Sequence, residues 1–207
     1  MSTWKKNETF RKQARKAGYR SRAAFKLLEI EQKFGILRKA NRIVDLCSAP
    51  GSWLQVAQEK CNQSDYKIVG VDLNYIRPIE GVSVIQASIE ESDLVSQILE
   101  QLTLPAHVVL SDCSPKLSGK KVLDRERQLW QAKLSLQIAV QLLEKRGHFV
   151  TKVFQTSEFQ EFITQVKDYF KSVKSFKPKS SLKRSPEMYL IAKEFKGLSH
   201  QFNPDVL

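Results

Sequence analysis

Residues 45–53 read Asp-Leu-Cys-Ser-Ala-Pro-Gly-Ser-Trp, DLCSAPGSW, and this stretch decides the fold. A β-branched and aliphatic run, 42–46, enters it, and a helical pattern over 54–61 leaves it. Small residues, a proline and a glycine lie between, so the order is strand, tight turn, helix. In an open α/β sheet the first such turn stands at the carboxyl end of a strand, where backbone N–H groups face a ligand. Gly51 lets the main chain approach a ligand that a Cβ would hold off. The stretch lacks the three glycines of a dinucleotide fingerprint and the Gly-Lys-Ser/Thr of a phosphate loop. Taken alone it also fits an ordinary strand-to-helix turn with a buried Trp53. The next strand adds weight: 67–72, KIVGVD, ends in Asp72. That acid lies about 20 residues beyond the turn, the spacing at which a carboxylate accepts hydrogen bonds from ribose hydroxyls. Together the two strands predict a nucleoside-containing cofactor.

Outward from this pair, strands and helices alternate. Strands are expected at 42–46, 67–72, 82–86, 107–111, 148–154, 173–176 and 188–192. Helices are expected at 22–34, from about 53, at 93–102, 126–144 and 158–169. Ser21 and Ser157 are read as N-caps and Gly35 as a helix stop. Alternation of this kind means a mainly parallel sheet covered on both faces. The last two strands, joined by 177–186 without a helix, should be antiparallel. The fold class is therefore α/β, with a seven-stranded, mostly parallel sheet, helices on both faces and an antiparallel last strand. Residues 1–20 read as a basic extension, 21–196 as one domain and 197–207 as a tail.

The 207 residues carry 34 Lys+Arg against 22 Asp+Glu, a formal net charge of +12. Such a field favours polyanions. The charge is segregated: Lys5 to Arg22 holds eight basic residues and one acid, Glu8, whereas 78–115 has no Lys or Arg. Trp4, Phe10 and Tyr19 interleave with the basic residues, and cations beside stacking rings suit RNA. The three cysteines, Cys47, Cys61 and Cys113, show no C-x-x-C spacing and are odd in number. They read as reduced thiols of a cytoplasmic protein, neither a disulfide framework nor a zinc site. With three histidines spread over the chain no metal centre is expected. No apolar run approaches the roughly 20 residues of a membrane span, and the N-terminus is charged rather than signal-like.

Six segments, in order along the chain, resemble the FtsJ family of RNA 2′-O-ribose methyltransferases. They are SRAAFKL at 21–27, VDLCSAPGSWLQV at 44–56, GVDL at 70–73, LSDCSPKLSG at 110–119, GHFVTKVF at 147–154 and RSPEMYLIAK at 184–193. The resemblance implies a Rossmann-like methyltransferase fold, S-adenosyl-L-methionine as methyl donor, and a Lys-Asp-Lys-Glu tetrad at Lys26, Asp112, Lys152 and Glu187. It places Gly51 and Trp53 at the methionine end of the donor, Ser52 also among the donor-binding residues, Asp72 on the ribose, and Asp112 near the amino-acid or methyl region. Ser88 stands where the family commonly has an acid for the adenine amino group. A serine oxygen still accepts a hydrogen bond, without the charge.

Read one by one, Lys26 also fits a solvated helix lysine, Asp112 a turn residue and Glu187 a hairpin residue. Lys152 is odder, because it interrupts an apolar strand, and burying a lysine without a partner is costly. Asp112 and Lys152 end neighbouring strands, so the topology alone brings them together. Lys152 is the expected base, Lys26 steers the hydroxyl or phosphate, and the acids orient the amines. RNA contacts are expected on 5–22, Lys26, the 116–121 loop and the 177–184 loop. The resemblance favours action on large-subunit ribosomal RNA, at a uridine of the A loop, and a monomer is expected. A tRNA anticodon-loop enzyme and a non-catalytic RNA-binding ribosome-assembly factor are the competing expectations.

Overall fold

The computed structural model describes residues 3–61, 64–116, 118–182 and 185–198, with residues 3–7 as backbone only. Among the expected RNA contacts, the side chains of Lys5 and Lys6, and Lys183 and Arg184, lie outside this set. So do the side chain of Trp4, Leu117 in the 116–121 loop and the tail from 199.

The strands are β1 (Arg42–Leu46), β2 (Lys67–Asp72), β3 (Val82–Gln86), β4 (Ala106–Ser111), β5 (Leu143–Phe154), β6 (Phe170–Phe176) and β7 (Glu187–Phe195). The helices are α1 (Thr3–Lys16), α2 (Ala24–Phe34), α3 (Ser52–Lys60), α4 (Leu94–Leu102), α5 (Lys121–Leu142) and α6 (Phe159–Tyr169). The sheet order is β3-β2-β1-β4-β5-β7-β6. The first five strands in that order pair in parallel, and β7 runs antiparallel to both β5 and β6. The order reverses between β1 and β4, the crevice where open α/β sheets bind ligands.

Each face of the sheet buries its own apolar layer. On one face Ile98 of α4, Leu136 and Ala139 of α5, and Phe162 and Val166 of α6 pack on Val44, Val69, Val109 and Phe149. On the other, Leu27 and Ile30 of α2 and Leu54 and Ala57 of α3 pack on Ile43, Ile68, Leu110 and Ile191. The Val, Leu, Ile and Phe side chains among these, fully buried, each contribute about 1.5–3 kcal/mol. Gly70 lets α3 sit close to β2: a Cβ there would lie 2.7 Å from Leu54 Cδ1 and 2.8 Å from Ser48 Oγ.

Several boundaries differ from the sequence expectation, each for a local reason. The basic N-terminal segment is helical over α1. Ser21 does not cap α2; Ala23 holds the cap position without a side-chain bond, and Ser21 Oγ accepts from the Ala23 amide and faces Ser52 Oγ. Helix α5 begins at Lys121 rather than 126, because the Asp124 carboxylate accepts from the amide and hydroxyl of Ser118 and folds the loop onto the first turn. Ser157 does not cap α6, where Glu158 takes that place without a side-chain cap bond.

The expectation of reduced, unpaired cysteines is corrected. Cys47 and Cys113 form a disulfide, while Cys61 is a buried free thiol. Leu46 and Ser111 are in register at the ends of neighbouring strands, so the residues just beyond them meet. A sequence separation of 66 residues conceals this.

Candidate active site

Three strand ends and one helix build the site. Asp112 follows β4, Lys152 lies near the end of β5, and Glu187 opens β7. Lys26 comes from the first turn of α2. The register places Lys152 opposite Tyr189 and Phe154 opposite Glu187. Successive strand side chains alternate faces, so Lys152 shares a face with Phe154, and Glu187 with Tyr189.

The four expected tetrad residues converge. Lys26 Nζ lies 2.9 Å from both carboxylate oxygens of Glu187 and 3.9 Å from Asp112 Oδ2. Lys152 Nζ lies 3.2 Å from Asp112 Oδ1. Both lysines are buried, Lys26 with 7% and Lys152 with 3% of its surface exposed, so neither is a solvated surface lysine. Lys152 Nζ also donates to the Asp112 carbonyl at 2.8 Å and to Ser114 Oγ at 2.6 Å. Its three ammonium hydrogens are thereby all engaged.

Burial is the leading cause that pushes the Lys152 pKa below the ordinary lysine value; Lys26 adds to it, and Asp112 and Glu187 oppose it. At Asp112 burial pushes upward, but the Lys152 and Lys26 ammoniums and the Tyr189 hydroxyl together hold the carboxyl below its ordinary value.

Tyr189 is a site residue that motif reading missed. Its hydroxyl donates to Asp112 Oδ1 at 2.6 Å and accepts from Lys26 Nζ at 3.0 Å. Burial, then Asp112 and Glu187, push its phenol well above the usual tyrosine range, so it stays a donor. Its place two residues after Glu187 on one strand was the available signal. Ser181 Oγ donates to Glu187 Oε1 at 2.7 Å, and the Glu29 carboxylate accepts from the amides of Lys179 and Ser180, pinning that loop to α2. On α5, Gln128 Nε2 donates to the Lys152 carbonyl and its Oε1 accepts from the Phe154 amide, which fixes the end of β5.

The DLCSAPGSW turn lies beside this cluster, and the side chains of Ser52 and Trp53 are engaged within the protein. Trp53 is buried, donates Nε1–H to the Ala23 carbonyl and packs 5.8 Å from the Tyr189 ring. Ser52 Oγ pairs with Ser21 Oγ. Gly51 has φ 101°, and the space a Cβ would enter is filled by Arg20 Nη1 at 2.9 Å. The absence of a Cβ at Gly51 therefore makes room for the Arg20 guanidinium, a neighbour the sequence did not disclose. The Arg20 guanidinium in turn donates to the carbonyls of Pro50, Arg77 and Pro78.

Asp72 Oδ2 accepts from the Ala49 amide, and Oδ1 from the amide and side chain of Asn74. Ser88 follows β3; its hydroxyl accepts from the Glu90 amide and its own amide donates to Glu91.

Asp45, within the opening motif, is the least satisfied acid of the region. It is 1% exposed, and neither carboxylate oxygen has a hydrogen-bond partner among the described residues. Burial above all, then the nearby Asp112 and Asp72, hold its carboxyl well above the usual range. Three carboxyl groups thus gather at the β1–β4 crevice, and the arrangement suits a ligand that brings positive charge.

A cleft of about 610 Å³ adjoins Lys26 and is lined by Arg11, Lys12, Arg15, Arg20 and Arg22. It lies between α1 and the start of α2, and its charge suits a phosphate backbone.

Residues 19–195 match the family model of FtsJ-like methyltransferases. The chain is 44% identical over 196 residues to a ribosomal RNA large subunit methyltransferase E of Methanoculleus marisnigri, covering 95% of each chain. It is 42% identical to the protein so named in Methanothrix thermoacetophila, over 94% of this chain and 74% of that one. A solved structure described as a ribosomal RNA methyltransferase of Plasmodium falciparum superposes with a TM-score of 0.76 at 31% identity, over 87% of this chain and all of that one.

Proposed function

The chain belongs to the FtsJ-like methyltransferase family, and on that premise we propose that it methylates a ribose 2′-hydroxyl of RNA. The observation that carries the reading is the buried Lys152 set against Asp112, with Lys26, Glu187 and Tyr189 closing the ring around them.

When bound, S-adenosyl-L-methionine supplies a methyl group activated by a sulfonium. Its charges fit the residues present: Asp45 at the β1–β4 crevice is an orphaned acid suited to a cation, and the first turn of α3 has N–H groups for a carboxylate. Residues 51–53 serve the methionine end through their main chain, Asp72 takes the ribose, Ser88 the adenine edge, and Asp112 the methyl region.

The chain's own residues then handle the proton. A 2′-hydroxyl attacks well only as it loses its hydrogen, so a base must stand within hydrogen-bond reach. Lys152 in its neutral form is that base. Losing one proton leaves two N–H groups for the Asp112 carbonyl and Ser114, and a lone pair for the hydroxyl. Asp112 then stabilises the ammonium as it re-forms. Lys26, fixed by Glu187 and Tyr189, positions the ribose or its phosphate. The basic cleft beside Lys26 leads the polyanion to this point.

Large-subunit ribosomal RNA is the substrate the relatives' names favour, and a uridine of the A loop is the specific target proposed. The test is transfer of labelled methyl to ribosomal large subunits, free ribosomal RNA and tRNA, followed by mapping of the product. Incorporation into large-subunit RNA at a ribose, lost in Lys152→Ala, is the expected result. Transfer only to tRNA, or a Lys152→Ala protein as fast as the parent, would overturn the substrate or the base.

A further inference from the structure

The crevice between β1 and β4 carries a covalent link that proton transfer does not use. Cys47 directly follows β1, Cys113 directly follows Asp112, and the two are disulfide-bonded. On one side the bond is joined through the backbone to the 48–51 turn, on the other to a tetrad residue.

The backbone indicates that a side chain is wanted at this spot. Cys47 has φ 58°, a left-handed conformation that costs a residue with a Cβ and suits glycine. A cysteine stands there nonetheless, and its sulfur is spent on the bridge. Access is asymmetric as well: Cys113 is 2% exposed whereas Cys47 is only partly buried, so thiol exchange starts at Cys47. The third cysteine does not compete, since Cys61 is buried and donates its S–H to the Ala40 carbonyl.

We propose that Cys47 and Cys113 are a reversible thiol–disulfide site that clasps the donor crevice, so that affinity for the donor follows the redox state of this pair. In the oxidising direction each thiol gives up its hydrogen, one S–S bond forms, and the two electrons and two protons pass to a low-molecular-mass disulfide, which becomes two thiols. The clasp holds the 48–51 turn and the Asp112 loop in one relative position. A site whose loops are already held loses less freedom when it binds, so the oxidised form binds more tightly. The proposal rests on reading this crevice as the donor site.

The experiment measures binding of S-adenosylhomocysteine by calorimetry to protein treated with oxidised glutathione or with dithiothreitol. Alkylation and mass spectrometry of the same samples count free thiols. The expected result is one alkylatable thiol after oxidation, three after reduction, and at least threefold tighter binding by the oxidised form. Cys47→Gly, which accepts the left-handed backbone and cannot form the bond, should bind as the reduced protein does in both treatments. Cys61→Ser should respond as the parent. Equal affinity in the two states, or three free thiols after oxidation, overturns the clasp while leaving the donor reading intact. Absence of binding in both states overturns the donor reading and the clasp with it.

Discussion

Lys152 meets Asp112 twice: its ammonium lies 3.2 Å from the carboxylate Oδ1 and donates to the carbonyl of the same residue at 2.8 Å. The amine is therefore gripped by both parts of one residue, and Ser114 takes the remaining hydrogen. A lysine so held is an acid until it loses a proton, and burial depresses its pKa toward the range where that happens. The rate should rise with pH and level off, with an apparent pKa below the ordinary lysine value of about 10.4. Lys152→Arg keeps the charge but cannot yield a proton, so it should lose activity by about 10²–10⁴-fold, the usual worth of a general base. Calorimetry with S-adenosylhomocysteine should show near-normal binding in the same variant. A pH-independent rate would remove Lys152 from the base role.

Tyr189→Phe tests the hydroxyl that joins Lys26 to Asp112. The ring contact with Trp53 survives, but a hydrogen bond to a charged, part-buried acceptor disappears, which costs about 1.5–3 kcal/mol. Asp112 has a folded pKa held below its ordinary value, partly by this hydroxyl. Its stabilising contribution is present above the unfolded carboxyl pKa of about 3.9 and fades as pH falls through the lower folded value. The stability gap between parent and variant, read from denaturant midpoints, should therefore be full at neutral pH and narrow under strongly acid conditions.

Asp45→Asn addresses the orphaned acid of the opening motif. The amide has nearly the same shape, so the fold should persist. What it lacks is the charge that a cationic ligand group calls out at the β1–β4 crevice. Binding of S-adenosylhomocysteine should weaken about tenfold, near 1.4 kcal/mol. Unchanged affinity would mean that Asp45 serves packing alone.

The basic cleft beside Lys26 should make RNA binding sensitive to salt. Reversing Arg11, Lys12 and Arg15 to Glu should weaken that binding and flatten its dependence on ionic strength. Removing one cation–phosphate pairing lowers the slope of log K against log salt by about 0.7 for single strands. Donor affinity, measured separately, should not move.

The parallel sheet was legible because the apolar runs and their spacing are local signals, and five strand cores fall where alternation puts them. The tetrad was legible only through motif resemblance, apart from Asp112 and Lys152, which neighbouring strand ends bring together. Tyr189 stayed hidden because a tyrosine in a strand looks like core until its hydroxyl is located. The Cys47–Cys113 link was hidden for another reason: strands β1 and β4 are neighbours only after two intervening strands have paired elsewhere, and no sequence spacing reports that order. The neighbour of Gly51 was not legible either. In space Arg20 sits against it, from a segment more than 30 residues upstream, with its head bonded to three carbonyls.

That proximity of Arg20 separates two costs of Gly51→Ala. The new Cβ would sit 2.9 Å from Arg20 Nη1, closer than real atoms approach, and the backbone at φ 101° is strained for any residue with a Cβ. Arg20 cannot swing aside cheaply, because doing so breaks its bonds to Pro50, Arg77 and Pro78. The strain at such a position is of order 1–3 kcal/mol, and the clash adds to it. Arg20→Ala removes the clash but not the strain. A double-mutant cycle on denaturant midpoints should therefore show the pair costing less than the sum of the single changes, by about 0.5 kcal/mol or more, on the order seen for touching residues. Additive costs would mean that the guanidinium gives way freely, and that Gly51 is required by its backbone conformation alone.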